Sequence, residues 1–103
     1  MKRVITKLHL FSTEEGGRSK PLPTCKFGCP IYFESVPELS GSAYDSRILV
    51  NELREAIVPG GTFEEVAIAF LSEDLVVPFL KAGVKFKLWE GKIIGIGEVV
   101  RIE

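Results

Sequence analysis

The stretch that most constrains this chain is Val84-Lys-Phe-Lys-Leu-Trp-Glu-Gly-Lys-Ile-Ile-Gly-Ile-Gly-Glu-Val-Val-Arg-Ile-Glu103. From Val84 to Leu88 apolar and charged residues alternate, which is the period of a half-buried strand. Glu90-Gly91 then reads as a hairpin turn, and beyond it Ile93, Ile94, Ile96, Val99, Val100 and Ile102 put apolar side chains on both faces. A two-residue turn sets Leu88 opposite Ile93, Phe86 opposite Gly95 and Val84 opposite Gly97, so that large side chains lie across missing ones. Gly95 and Gly97 also permit the coiling that a closed barrel needs. The other face then carries Lys85, Lys87, Trp89, Ile94, Ile96, Glu98 and Val100. Its apolar members are expected either to lie beneath another part of the chain, as barrel strands sheltered by long loops do, or to form with Trp89 a contact surface for a protein partner. Gly95-Ile-Gly97 is not a dinucleotide fingerprint, because no third glycine opens a helix.

The rest of the chain is consistent with one domain over residues 1–103, long enough to bury a core without metals or disulfides. Its 46% apolar and 26% charged residues are far from a disordered composition, and its net charge of −1 supplies no field to steer it to nucleic acid or an anionic membrane. The apolar runs are too short for a membrane span. The opening Met1-Lys-Arg-Val-Ile-Thr-Lys7 has no h-region, so the expectation is no signal peptide and a cytoplasmic location. Cys25 and Cys29 share a Pro-flanked loop, and His9 is the sole histidine. A metal site needs three or four ligands, so no metal and no cofactor is expected. A local disulfide is geometrically feasible but out of place in the cytosol, and both cysteines are read as structural thiols.

Arg3 to Thr13 alternates as a long strand, with Val4, Thr6, Leu8 and Leu10 on one face and Ile5, Lys7, His9 and Phe11 on the other. Gly16-Gly17 comes next as a turn needing positive φ, and the prolines after it give no helix N-terminus to cradle a phosphate. Lys20 to Pro30 reads as irregular, Ile31-Tyr-Phe33 as a short strand, Pro37 to Ser46 as loop and Arg47 to Val50 as a strand. Asn51 to Ile57 is ambiguous between helix and strand. Pro59-Gly60 fits the central positions of a type II turn. From Thr62 to Leu71 the set Phe63, Val66, Ala67, Phe70 and Leu71 has helical spacing, and Thr62 with Glu65 forms a capping-box pattern; a strand with Val66, Ile68 and Phe70 inward fits the same residues. Local pattern favours the helix. Pro78 breaks any element over Ser72–Lys81 unless it sits in the first turn of a short helix.

Three pieces carry a family resemblance. Leu8-His-Leu-Phe-Ser-Thr-Glu-Glu-Gly-Gly-Arg-Ser-Lys-Pro21 resembles the opening strand and E-G-G-R-x-x-P turn of the C-terminal (third) domain of elongation factor Tu. Pro30-Ile-Tyr-Phe33 resembles the aromatic strand that comes after it there. Ile57-Val-Pro-Gly60, with the hairpin Phe86–Val100, resembles that domain's M-P-G turn and its closing F-x-I-R-E-G-G-R-T-V-G-A-G-V-V strands. Glu34–Leu53 and Ser72–Gly83 match weakly. The resemblance implies an all-β fold, a six-stranded antiparallel β-barrel, with a strand at Thr62–Leu71 and room for one short helix near 72–82.

In that family the barrel performs no chemistry. It packs on a GTPase domain, touches the T-stem backbone of aminoacyl-tRNA and meets a nucleotide exchange factor. By position, the tRNA contacts would fall on Arg18, Ser19, Lys20, Gly91 and Lys92. This sequence departs from the pattern there: Ser19-Lys20 replaces His-Thr, Cys29 replaces the arginine before the second-strand proline, and Glu90-Gly91-Lys92 shortens E-G-G-R. No G-x-x-x-x-G-K-[ST] loop or N-K-x-D is present, so this chain is expected not to bind GTP. Three readings are open. The first is a binding module for a protein partner through Trp89, Ile94, Ile96 and Val100, including a decoy or regulator of translation-factor interactions. The second is a residual role with tRNA or with other factor domains, weak alone because few cations remain. The third, an enzyme, is disfavoured: Glu14, Glu15, Asp45, Glu64 and Glu65 accompany no positioned base or nucleophile.

Overall fold

The computed structural model describes residues 2–103. Six strands run through them: β1 (Val4–Leu10), β2 (Lys26–Tyr32), β3 (Ala43–Leu49), β4 (Thr62–Phe70), β5 (Lys85–Trp89) and β6 (Ile93–Ile102). They close in the order β1-β4-β3-β2-β5-β6 as an all-β, antiparallel barrel. A short helical excursion, α1 (Glu73–Val76) running into a 3₁₀ turn at Val77–Phe79, links β4 to β5, with Pro78 in the first turn of the 3₁₀ segment. Closure turns the alternating apolar residues of the strands to one interior, although β2 meets β5 only at Ile31 and Tyr32.

That interior is aromatic at its centre. Phe33 is fully buried and tilted against Phe70 (5.7 Å), Phe86 (5.9 Å) and Tyr44 (6.4 Å between centroids). Val4, Leu8 and Leu10 point inward with Thr6, whose hydroxyl donates to the Val66 carbonyl at 2.9 Å and so meets no desolvation penalty. Ile5 faces outward yet is buried, in a small second cluster with Leu49 and Ala67. The Val58–Gly61 turn has the expected geometry: Gly60 has φ +85° and the Gly61 N–H donates to the Val58 carbonyl at 3.1 Å.

Thr62–Phe70 is a strand, and the helical spacing there has a local cause. Thr6 pairs with Val66 but Leu8 with Phe63, so Glu64 and Glu65 together oppose Lys7. This β-bulge inserts one residue and leaves Phe63 and Val66, three apart, on the same inward face. A bulged strand thus imitates one turn of helix. The regions read as irregular or loop are shorter than expected, since β2 begins at Lys26 and β3 at Ala43, while β1 ends at Leu10, before Thr13. Asn51–Ile57 is neither helix nor strand beyond the 3₁₀ turn at Val50–Glu52.

The closing hairpin differs in register from the two-residue-turn expectation. Phe86 pairs with Gly97, Leu88 with Gly95 and Trp89 with Ile93. The turn is therefore longer, spanning Glu90–Lys92, and Ile94 is the extra residue of a bulge. The large-on-small pairing survives with different partners: a Cβ on Gly97 would collide with the Phe86 ring, and one on Gly95 would meet the His9 carbonyl at 2.7 Å.

Candidate functional site

Two surfaces gather the residues singled out from sequence. The first is the mouth of the barrel where the β1–β2 connection meets the β5–β6 turn. Arg18 leaves the Gly16-Gly17 turn, donates from Nε to the Lys20 carbonyl (3.0 Å) and from Nη1 to both Glu90 carboxylate oxygens (3.1 and 3.0 Å). Its guanidinium also sits over the Phe27 ring, 5.3 Å from the centroid. Arg18 is thus a clamp between the first turn and the hairpin, and its charge is already met by Glu90. Ser19, Lys20, Gly91 and Lys92 are exposed beside it, so the five positions distant in sequence do come together. Gly91 has φ +73°, which the tight turn requires. Sequence reasoning missed Glu90 as the partner of Arg18 and Phe27 as its platform, since neither the cross-barrel ion pair nor the stacking has a local signature.

The second surface is the outer face of β5 and β6. Ile96 and Trp89 are exposed at 43% and 38%. Lys87 lies opposite Ile96 and His9 flanks it on β1. Beside Ile96 is a depression of about 260 Å³, lined by Tyr32, Glu34, Ser35, Lys85 and Lys87 over the Phe86–Gly97 pair; Lys87 Nζ there meets Glu34 Oε1 at 2.9 Å, and the Phe86 ring itself is buried in the core. Ile94 is not part of this face. The bulge at the hairpin end turns it into the core, where it is fully buried, and so it is withdrawn as a contact residue. Val100 is exposed at 41%, but it lies at the far end of β6 as the extra residue between the Ile5–Arg101 and Thr6–Val99 pairs, away from Ile96.

On the adjoining wall, His9 lies between Thr62 (Nδ1 to Oγ1, 3.0 Å) and Glu15 (Nε2 to Oε1, 3.2 Å). The Ser12 N–H donates to Glu15 Oε1 at 2.9 Å and holds its carboxyl below the ordinary carboxylate range, with His9 assisting. This trio ties the first turn to β1 and β4. Cys29 is buried and Cys25 exposed, both as free thiols; the Cys29 Sγ–H reaches the Trp89 carbonyl at 3.5 Å. Among the described residues no group of three or more His, Cys, Asp or Glu side chains could hold a metal ion. Nor is any helix among them long and apolar enough to cross a membrane.

What the fold and these surfaces define is a small closed antiparallel barrel with an Arg18–Glu90 pair across its mouth and a shallow depression on its wall. Comparison with protein-family models and with curated proteins finds no match for the chain.

Proposed function

We propose that this barrel is a non-catalytic binding module related to the C-terminal domain of elongation factor Tu, acting in the cytoplasm on a protein partner. The observation that carries this reading is the depression beside Ile96, where Tyr32 and Ile96 offer apolar surface to one inserted side chain and Lys85 and the Lys87–Glu34 pair line it. Trp89 extends the same surface. A barrel of this kind works as a decoy or regulator, presenting a surface that other proteins grip on the elongation factor and competing for them. The expected result is that the immobilised barrel retains from source-cell lysate a protein that full-length elongation factor Tu also retains, and that Ile96→Glu releases it. Recovery of no shared protein would sink the decoy reading.

A second reading, contact with tRNA, is favoured by one specific observation: Lys20, whose carbonyl accepts from Arg18, and Lys92, two residues after Glu90, are both exposed near the Arg18–Glu90 pair. It predicts a gel shift with tRNA at low salt that falls steeply as salt rises and that weakens in Lys20→Ala with Lys92→Ala. Absence of any shift at low salt would remove it.

A further inference from the structure

The barrel is closed, but one seam is closed by very little. β2 pairs with β3 along all of Lys26–Tyr32, whereas it pairs with β5 only at Ile31 and Tyr32. From Lys26 to Cys29 the β5-facing edge of β2 has no strand beside it. The orientation of that edge can be read from Ser46, whose hydroxyl donates to the Cys29 carbonyl at 2.7 Å from β3. Cys29 therefore turns its main-chain groups to β3. Successive residues of a strand alternate in this respect, so Lys26, Gly28 and Pro30 turn theirs to the open edge. Pro30 has no N–H to leave unpaired there, and Gly28, exposed and without a side chain, leaves its own N–H and carbonyl approachable. Among the described residues, Lys26–Gly28 pairs along its main chain only with β3. The gap is spanned only by side chains: Arg18 running from Phe27 to Glu90, and the Cys29 thiol reaching the Trp89 carbonyl.

The charges around this edge are mostly positive, the exception being exposed Asp45, opposite Pro30 on β3. Lys20, Lys26 and Lys92 are exposed and have no acidic partner among the described residues. Arg47 lies against Gly28 on the outer face, with its Nη1 donating to the Ser46 carbonyl at 2.9 Å. The acid in the facing turn, Glu90, is already neutralised by Arg18. A second copy of the chain pairing edge to edge would bring like-charged lysines together, which disfavours self-association. A nucleic acid would use the charge but not the main-chain donors and acceptors.

We propose that the Lys26–Gly28 edge of β2 takes up an extended acidic segment of a partner protein as an added strand, with its main chain laddering on Lys26 and Gly28 and its carboxylates meeting Lys20, Lys26 and Lys92. This site is separate from the Ile96 depression, and either can fail without the other.

The probe is a synthetic peptide of alternating glutamate and valine, titrated into the full ¹⁵N-labelled chain at low ionic strength. Binding is expected to protect the Gly28 amide from hydrogen exchange. Lys20→Glu with Lys26→Glu should weaken it roughly tenfold, and Gly28→Pro, which removes the edge donor but leaves the β3 ladder, should abolish it. A peptide N-methylated at alternate positions keeps its charge and loses its ladder, and in one of the two registers it should not bind; this control holds even if Gly28→Pro fails to fold. Ile96→Glu should bind the peptide unchanged. The proposal is overturned if the peptide does not bind. It is also overturned if polyglutamate or a single-stranded oligonucleotide of equal charge binds as tightly without protecting Gly28, or if the chain alone protects Gly28 by dimerising.

Discussion

Arg101 on β6 grips the carboxylate of Glu65 on β4 with both terminal nitrogens, at 2.9 and 2.7 Å. Glu65 is the bulge residue of β4, and its φ of +59° is the only left-handed value outside glycine among the described residues. A backbone conformation that disfavours side chains is therefore occupied by a side chain with a bidentate partner. The Arg101 side-chain hydrogen bonds hold the Glu65 carboxyl below its ordinary value of 4.5, so the unfolded chain binds that proton more readily than the folded one. The pair's contribution is thus complete above that value and is lost as pH falls through the lower folded value. Urea unfolding of wild type and Glu65→Gln should differ near neutral pH and converge in acid. Equal differences at both pH values would dissociate the bulge from the ion pair.

The same bulge explains what the sequence concealed. Phe63 and Val66 share a face because a residue was inserted between them, and local spacing cannot distinguish that from a helical turn. The alternation of β1 and β5 and the Pro59-Gly60 turn were readable because each is set by residues adjacent in the chain. The number of strands and their closure were expected only through the family resemblance, since the β2–β5 pairing joins Ile31 to Leu88, far apart in the chain.

Gly97 is where the barrel wall and core compete for space. Its absent Cβ is replaced by the Phe86 ring and, at 2.8 Å from where that Cβ would stand, by Leu8 Cδ2. Gly97→Ala should destabilise the barrel by about 1–3 kcal/mol through overpacking. Phe86→Leu in the same chain should return part of that loss, giving a non-additive double-mutant cycle by denaturant unfolding. Additive effects would mean that the glycine is required for its backbone and not for the ring.

The two cysteines should differ in reactivity. Burial pushes the Cys29 thiol from its ordinary 9.0 up to about 11, against a smaller opposing effect of the Trp89 backbone. A folded-state pKa above the unfolded one favours the protonated thiol, so this stability is complete below 9.0 and declines as pH rises towards 11. At pH 8 a chromogenic disulfide reagent should titrate one thiol, Cys25, quickly and the second only on adding denaturant. Two fast equivalents would place Cys29 in solvent.

The binding surfaces were less readable than the fold. Arg18, Lys20 and Lys92 are brought together by loops whose paths depend on closure, and the partner that occupies Arg18 lies seventy-two positions away. Cations in turns signal only exposure; whether each is free or already paired is decided across the barrel.

The sharpest contrast lies within one strand. Ile94 and Ile96 are two residues apart, which regular alternation would put on one face, yet Ile94 is 0% exposed and Ile96 43%. The Trp89–Ile93 and Leu88–Gly95 pairs leave Ile94 unmatched, and that extra residue changes which way the chain points. Ile94→Glu should therefore bury an unpaired carboxylate and unfold the domain or shift its midpoint severely. Ile96→Glu should leave stability within about 0.5 kcal/mol of wild type while losing the partner taken up beside Tyr32. Denaturant unfolding of both variants checks the register, and partner capture by the folded Ile96→Glu protein separates a binding face from a scaffold. Equal stability loss in the two variants would return the hairpin to simple alternation, and retained capture by Ile96→Glu would remove the wall depression as the contact.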